Sequence, residues 1–234
     1  MLSVIIPTYN EADILERNVI TIERLLSARF GTNYEIIVVE ESTDKTAQVL
    51  ELLMKKRKKI RRIHSEHRLG KGGAIERGIL ASKGENVAFA DLDLATDFRS
   101  LPDLIKGLEK NDIVMGSRYL PGSSAERTLF RLAMSRIYIF LVKALLGLPY
   151  SDMQCGFKAF KKSEIKKILS ETRNKSYFWD TELIFHAHKK GLKILEIPVK
   201  WHEVDEKSPG AVKMFLDLMR FRMHQSFSIK NSDA

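Results

Sequence analysis

Val87-Ala88-Phe89-Ala90-Asp91-Leu92-Asp93 is a short apolar run that ends in two acids one residue apart. Val87 to Ala90 read as a buried strand. At a strand terminus, Asp91 and Asp93 can leave the β alternation and turn toward one point. Two hard oxygen ligands at such a point suit Mg²⁺ or Mn²⁺ bridged to a diphosphate. The alternative is a strand running into a plain acidic turn. In open α/β sheets, ligands bind outside the carboxyl ends of the strands, which is where this pair falls.

The segments upstream repeat the same logic. Ser3-Val4-Ile5-Ile6-Pro7 is an apolar run closed by proline, as a buried strand would be. Thr8 to Glu11 form a loop, with Asn10 placed to cap a helix carrying Ile14, Leu15, Val19, Ile22, Leu25 and Leu26. Tyr34 to Val39 read as a second strand, ending in the polar loop Glu40 to Thr46 and a helix with Ala47, Val49, Leu50, Leu52 and Leu53. Alternating strands and helices predict parallel strands with crossover helices. Lys55 to Arg62 holds seven basic residues in eight. That run reads as a solvated helix end, where cations suit the dipole, or as a patch for membrane or nucleic acid. Gly70-Lys71-Gly72-Gly73-Ala74 opens a helix reaching about Lys83. Glycines there let backbone N–H groups approach a phosphate, with Lys71 adding charge, or simply give a flexible helix entry. The spacing is not that of a Walker A loop.

Downstream, Leu101 to Leu108 read as a helix and Asp112 to Arg118 as a strand with Arg118 at its carboxyl end. Arg118 then shares a rim with Asp91 and Asp93, where its planar fork suits phosphate or a surface ion pair. Thr128 to Tyr150 is apolar and about long enough to cross a bilayer, which takes roughly 20 residues, but Arg131, Arg136 and Lys143 interrupt it. An amphipathic helix lying in a membrane interface fits better than a spanning one, with a buried core helix as the alternative. Asp180 is placed either to cap the helix through Leu183, Ile184 and Ala187 or to act as a catalytic acid group. Leu192 to Val199 read as a strand, Trp201 to Ser208 as a polar loop holding Lys207, and Val212 to Phe227 as a basic amphipathic helix. The six histidines show no metal-ligand spacing.

The 234 residues are ample for one large core, and 44% hydrophobic with 29% charged residues indicates a globular chain. A net charge of +9 suits nucleic acid, an anionic membrane surface or a phosphorylated substrate. Cys155 is the sole cysteine, which excludes an internal disulfide and a multi-cysteine zinc site. The N-terminus runs straight into a strand without a basic n-region or cleavage site, so a cytoplasmic location is expected. No RNP-like aromatic pair, KH loop or zinc knuckle appears, which argues against an RNA-binding module.

Eight short motifs occur in order from Val4 to Ser208: Pro7-Thr-Tyr-Asn-Glu11, Glu40 to Thr46, Gly70-Lys-Gly-Gly-Ala74, Asp91-Leu-Asp93, Gly116-Ser-Arg118, Asp152-Met-Gln-Cys-Gly-Phe-Lys158, Trp179-Asp-Thr-Glu182 and Trp201-His-Glu-Val204. Each is weak alone, but together the sequence resembles the inverting glycosyltransferases of family 2. Within them it resembles the synthases that move a sugar from a nucleotide to dolichyl (polyprenyl) phosphate. The Gly70–Ala74 and Asp152–Lys158 motifs look more like the glucose-transferring than the mannose-transferring members.

The resemblance implies an α/β fold of the GT-A kind, a Rossmann-like, mostly parallel sheet flanked by helices. It implies one domain over residues 1–234, with an interface-helix insertion at 124–148 and an amphipathic C-terminal helix at 210–228. It places Pro7, Tyr9, Glu11, Glu40 and Glu41 at the base and ribose, although the family usually carries paired aspartates where this chain has Glu40-Glu41. Asp91 and Asp93 would hold Mg²⁺ or Mn²⁺, and Lys71 and Lys207 would lie near the nucleotide phosphates. Arg118, Arg131 and Ser135 would meet the acceptor phosphate, with Asp180 positioning or assisting it. The implied reaction transfers a hexose, UDP-glucose being the favoured donor, to dolichyl or polyprenyl phosphate by an enzyme peripheral on the cytoplasmic membrane face. The alternatives are GDP-mannose as donor and a soluble acceptor. No nucleic-acid partner is implied.

Overall fold

A computed structural model describes residues 1–126, 128–202 and 211–232, apart from the side chains of 126, 211 and 226–232. The strands are β1 (Leu2–Thr8), β2 (Tyr34–Glu40), β3 (Ile60–His64), β4 (Asn86–Ala90), β5 (Ile113–Ser117), β6 (Ser124–Glu126), β7 (Phe157–Lys161), β8 (Ile194–Pro198) and β9 (Lys200–His202). The helices are α1 (Ala12–Phe30), α2 (Thr46–Lys56), α3 (Gly70–Ala81), α4 (Leu101–Gly107), α5 (Leu129–Leu146), α6 (Lys162–Lys166), α7 (Trp179–Lys189) and α8 (Ala211–Ser232).

Seven strands form one sheet in the order β3-β2-β1-β4-β7-β5-β8. All neighbours run parallel except β7, which is antiparallel to β4 and β5. The expected mostly parallel sheet is therefore present. Every residue of β2 is buried, as a central strand covered on both faces must be. Ile5 lies beside Ile37 and Phe89, which sets the register at the centre. Val4 and Ile6 pack under Leu15, Val19, Ile22 and Leu26 of α1 on one face of the sheet. Ile5, Ile37 and Phe89 pack under Ile75 and Ile79 of α3 and Leu183 of α7 on the other.

Two local readings are corrected. Asn10 does not cap α1. It sits at φ +53, a region open to asparagine, and its Oδ1 accepts the Thr43 N–H at 2.9 Å. The basic run is not only a helix end, because α2 stops at Lys56 and β3 begins at Ile60. Arg61 and Arg62 there pair with Glu35 and Glu40 of β2, at 2.6 and 2.7 Å.

The parallel strands bring the ends of β1, β2, β4, β5 and β8 to one rim. The antiparallel β7 starts there, since Phe157 lies opposite Ala90. The segment after Asp93 is stitched to β9: Asp97 N–H donates to the Lys200 carbonyl and His202 N–H to that of Ala95, both at 2.9 Å. Helices α5 and α8 pack against one another outside the α3–α7 layer. Among the described residues, no helix is long and apolar enough to cross a membrane.

Candidate active site

The acidic turn leaves β4 at the sheet's centre. Leu94 N–H closes it on the Asp91 carbonyl at 3.3 Å, and Asp93 Oδ1 accepts the Ala95 N–H at 2.9 Å. Asn18 of α1 donates from Nδ2 to the Leu92 carbonyl at 2.9 Å and pins the turn from below. The Asp91 carboxylate reaches back across the head of α3, where Lys71 Nζ lies 2.6 Å from its Oδ1. Burial alone would lower the Lys71 pKa, but Asp91 and Asp180 outweigh it and hold the ammonium above its ordinary value. On the other side Gly156 leaves the room the carboxylate needs: a Cβ there would stand 1.8 Å from Asp91 Oδ2.

Asp180 sits in the first turn of α7, yet it does not cap that helix. Its Oδ1 takes Lys158 Nζ of β7 at 2.5 Å, and both side chains are buried. Lys158 also donates to the Cys155 carbonyl at 2.6 Å. The Lys158 and Lys71 ammonium groups lie 5.3 and 6.0 Å from the Phe89 ring. Phe89 is thus the apolar wall between two cations, each matched by a carboxylate. Burial, then Asp152, pushes the Cys155 thiol up to about 11, so it stays protonated.

Arg118 leaves β5 on the same rim. Its Nε and Nη2 donate to the two oxygens of Asp152 at 2.7 and 2.8 Å, a bidentate pair. Burial opposes ionisation of both groups, but each partner wins: the Arg118 pKa is raised and that of Asp152 lowered. Asp152 is held in turn by Glu196 of β8, which accepts the N–H groups of Ser151 and Asp152 at 2.8 and 2.9 Å. One edge of the Arg118 fork is therefore committed to the protein. The Tyr119 ring lies 5.6 Å from the Arg118 guanidinium and 4.6 Å from that of Arg136, which joins this rim to α5. Arg131 and Ser135 stand one turn apart on α5, half-buried, on the same face as Tyr138 and Val142.

The first three loops of the rim are cross-linked. Asn10 N–H donates to Ser42 Oγ and Glu11 N–H to Thr46 Oγ1, both at 3.0 Å. Pro7 does not close β1, which runs on to Thr8; Pro7 is half-buried, and Tyr9 is exposed with the Arg68 guanidinium stacked 3.3 Å from its ring centroid. Glu40 is fully buried and accepts from Arg62 Nε at 2.8 Å and from the Ser42 N–H at 3.0 Å, with His64 Nδ1 at 2.6 Å. Glu41 accepts the backbone N–H groups of Leu69 and Gly70, fastening the entry to α3. Gly70 itself is required there, at φ +73 with a Cβ position 2.4 Å from the Lys175 carbonyl oxygen. Glu40 and Glu41 thus build the floor of this part of the rim. Lys207 lies outside the described residues.

The structure brings Lys71 and Asp91 into contact, with Asp93 two residues on and Asp180 close enough to act on Lys71. Asn18, Lys158, Asp152, Gly156 and Glu196 belong to the site although the sequence assigned them no role. A lysine between Phe157 and Ala159 in an apolar strand was the available signal, because a buried ammonium must find a partner. Among the described residues, no cluster of three or more His, Cys, Asp or Glu side chains forms a complete metal site. Two hard carboxylates in the turn after β4 still fit Mg²⁺ or Mn²⁺, which take one or two protein carboxylates and fill their shell from diphosphate oxygens and water.

Comparison with known proteins gives the family. The chain is 36% identical over 220 residues to the glycosyltransferase AglD of Haloferax volcanii, covering 92% of this chain and 35% of that protein. It thus spans about a third of that relative. It is 34% identical over 222 residues to dolichyl-phosphate beta-glucosyltransferase of Homo sapiens, covering 87% of this chain and 68% of the human one. Its backbone superposes on glucosyl-3-phosphoglycerate synthase from Mycobacterium tuberculosis, solved with Mn²⁺, UDP-glucose and phosphoglyceric acid, at a TM-score of 0.69, 17% identity, and coverage of 95% and 79%. That likeness identifies the fold as GT-A. Residues 3–169 match the family described as glycosyl transferase family 2, and the chain belongs to it.

Proposed function

We propose that the protein transfers glucose from UDP-glucose to dolichyl or another polyprenyl phosphate, with inversion, while docked peripherally on the cytoplasmic face of a membrane. The observation that carries this reading is the Lys71–Asp91 pair at the end of β4, two residues before Asp93, with the Asp91 carboxylate seated against Gly156. A cation, and two carboxylates close together in the chain, are the groups that a diphosphate and its metal would need, which supports the reading. The human relative's name supplies the sugar and the acceptor class.

In this reading an oxygen of the lipid phosphate attacks the anomeric carbon as the bond from that carbon to the UDP oxygen breaks. The phosphate is already mostly ionised at neutral pH, its second pKa being about 6, so no strong base is needed. Asp180, held by Lys158, then fixes position rather than removing a proton. Lys71 meets charge developing on the leaving diphosphate. Asp91 and Asp93 are the residues that would hold Mg²⁺ or Mn²⁺, which when bound supplies Lewis-acid stabilisation of that leaving group. The free edge of Arg118, with Arg131 and Ser135, orients the acceptor phosphate and offsets its repulsion from the diphosphate.

Helix α5 supports the membrane placement. Leu129, Phe130 and Phe140 are 84%, 75% and 68% exposed, on a face that also carries Arg136 and Lys143. Apolar side chains in the acyl boundary with cations at the headgroups make an interfacial helix. The test is transfer to polyprenyl phosphate in mixed micelles with Mn²⁺, comparing labelled UDP-glucose with labelled GDP-mannose. Label in the lipid phase from UDP-glucose, abolished by Asp93→Ala, is the expected result. Label from GDP-mannose alone overturns the choice of sugar, and full activity of Asp93→Ala overturns the metal assignment.

A further inference from the structure

Helix α5 buries one of its side chains completely, Val142. One turn before it, the Tyr138 hydroxyl points into the protein and lies 3.0 Å from Thr181 Oγ1. Thr181 is fully buried and follows Asp180 directly in the first turn of α7. The same Oγ1 accepts from Gln154 Nε2 at 2.6 Å. Gln154 belongs to the loop that carries Asp152, which holds Arg118, and Gly156, against which the Asp91 carboxylate rests. One buried oxygen therefore joins three parts: the helix with the exposed apolar face, the helix with Asp180, and the loop that borders Asp91 and Arg118.

A threonine hydroxyl offers one proton and two acceptor positions. Gln154 fills one acceptor position, and Tyr138 engages the proton or the other. Burial raises the Tyr138 pKa, so the phenol stays protonated and can serve in either sense. Parting Tyr138 from Thr181 would lose a hydrogen bond at a fully buried oxygen, which is unfavourable, so a shift of α5 draws Thr181 with it. Asp180 is the next residue in the chain, and its carboxylate has no slack, being fixed on Lys158.

We propose that Tyr138, Thr181 and Gln154 form a positioning relay through which the seating of α5 on a lipid surface sets the place of Asp180 and of the Asp91 rim. The proposal rests on the reading that α5 docks on lipid, and it adds that docking tunes turnover. These three residues are positioning residues, since they act through Asp180, Asp152 and Asp91.

The protein itself holds a reporter. It has two tryptophans, Trp179 and Trp201, and Trp179 is buried beside Asp180 with its Nε1 2.7 Å from Glu76. In a Trp201→Phe background, Trp179 emission is recorded with and without vesicles of phosphatidylcholine and phosphatidylglycerol, alongside co-sedimentation. The expected result is a vesicle-dependent shift that disappears in Tyr138→Phe and Thr181→Val, is kept in Thr181→Ser, and leaves co-sedimentation unchanged in all of them. In the transfer assay Tyr138→Phe lowers kcat roughly tenfold, in the range of ordinary coupling between sites, with KM for the donor unchanged. The same shift with and without the Tyr138 hydroxyl, or silent Trp179 on bound vesicles, overturns the relay. Loss of co-sedimentation in the parent overturns the docking reading and the relay with it. Should Tyr138→Phe fail to fold, the Thr181→Val and Thr181→Ser pair carries the test.

Discussion

Gly156→Ala adds one methyl group and no charge, yet it acts directly on Asp91. The new Cβ would start 1.8 Å from Asp91 Oδ2, whereas real Cβ atoms essentially never come within 3.0 Å of another heavy atom. The carboxylate must retreat by more than about 1 Å, and a misplacement of that size in a reacting group costs about a hundredfold in rate. Its other oxygen is the one bound to Lys71, so the ion pair at 2.6 Å is disturbed by the same movement. Asp91 is partly exposed and can swing toward solvent, and alanine for glycine restricts the unfolded chain, which favours folding by about 0.4–1 kcal/mol where the backbone allows it. Transfer activity should therefore fall about a hundredfold while the thermal midpoint moves little. The assay is kcat/KM for the nucleotide sugar with Mn²⁺, paired with a melting curve. Activity within threefold of the parent, with the fold intact, would refute the argument that Gly156 exists to seat Asp91.

Lys158→Met leaves Asp180 buried without its partner, which destabilises by about 3–5 kcal/mol. Adding Asp180→Leu should restore most of that stability while the protein stays inactive, and denaturant midpoints of the single and double variants check it. Glu40 gives a pH prediction. Burial alone would raise its pKa, but the bonds from Ser42, Arg62 and His64 outweigh burial and lower it. A carboxyl whose folded pKa is depressed contributes stability above its unfolded pKa of about 4.3 and loses it as pH falls through the folded value. Glu40→Gln should thus lose on the order of 2 kcal/mol at neutral pH, the strength of a charged hydrogen bond. It should also show a flatter acid limb in a pH series of unfolding midpoints, and an unchanged acid limb would refute it.

The central strands were legible in the sequence because burial on both faces leaves uninterrupted apolar runs, as in Val4-Ile5-Ile6 and Ile36-Ile37-Val38-Val39. Strand β3 was not. It is an edge strand in which Ile60 is buried while Arg61 and Arg62 satisfy acids of β2, so its composition reads as a charged surface. The Asp91-Leu92-Asp93 turn could be placed on the rim from order alone, and the Gly70-Lys71 stretch could be read as a helix entry suited to phosphate. Their contact could not, and neither could the pairing of Arg118 with Asp152 or of Lys158 with Asp180. Those partners are 34 and 22 residues apart in the chain and meet through the reversed strand β7 and the loop before it. Local pattern carries no information about such pairings. The consequence is sharpest at Asp180, whose position near a helix start suggested a cap, while the fold spends it on a buried lysine.

Strand β3 is also one outer edge of the seven-stranded sheet. The outer edge of a sheet offers unpaired N–H and C=O groups, a template on which a second chain can add a strand. Here the residues leading into that edge are Lys55, Lys56, Arg57, Lys58 and Lys59, and the edge continues through Arg61 and Arg62. Arg57, Arg61 and Arg62 are each matched by a glutamate, so the repulsion between two such edges would come from Lys55, Lys56, Lys58 and Lys59 at the entry to the strand. Lysines at such an edge disfavour strand addition, and because the repulsion is ionic, salt screens it over a Debye length of about 10 Å at 0.1 M. Stocks of the protein should keep best at low ionic strength, the reverse of what suits a chain whose edges are shielded by packing.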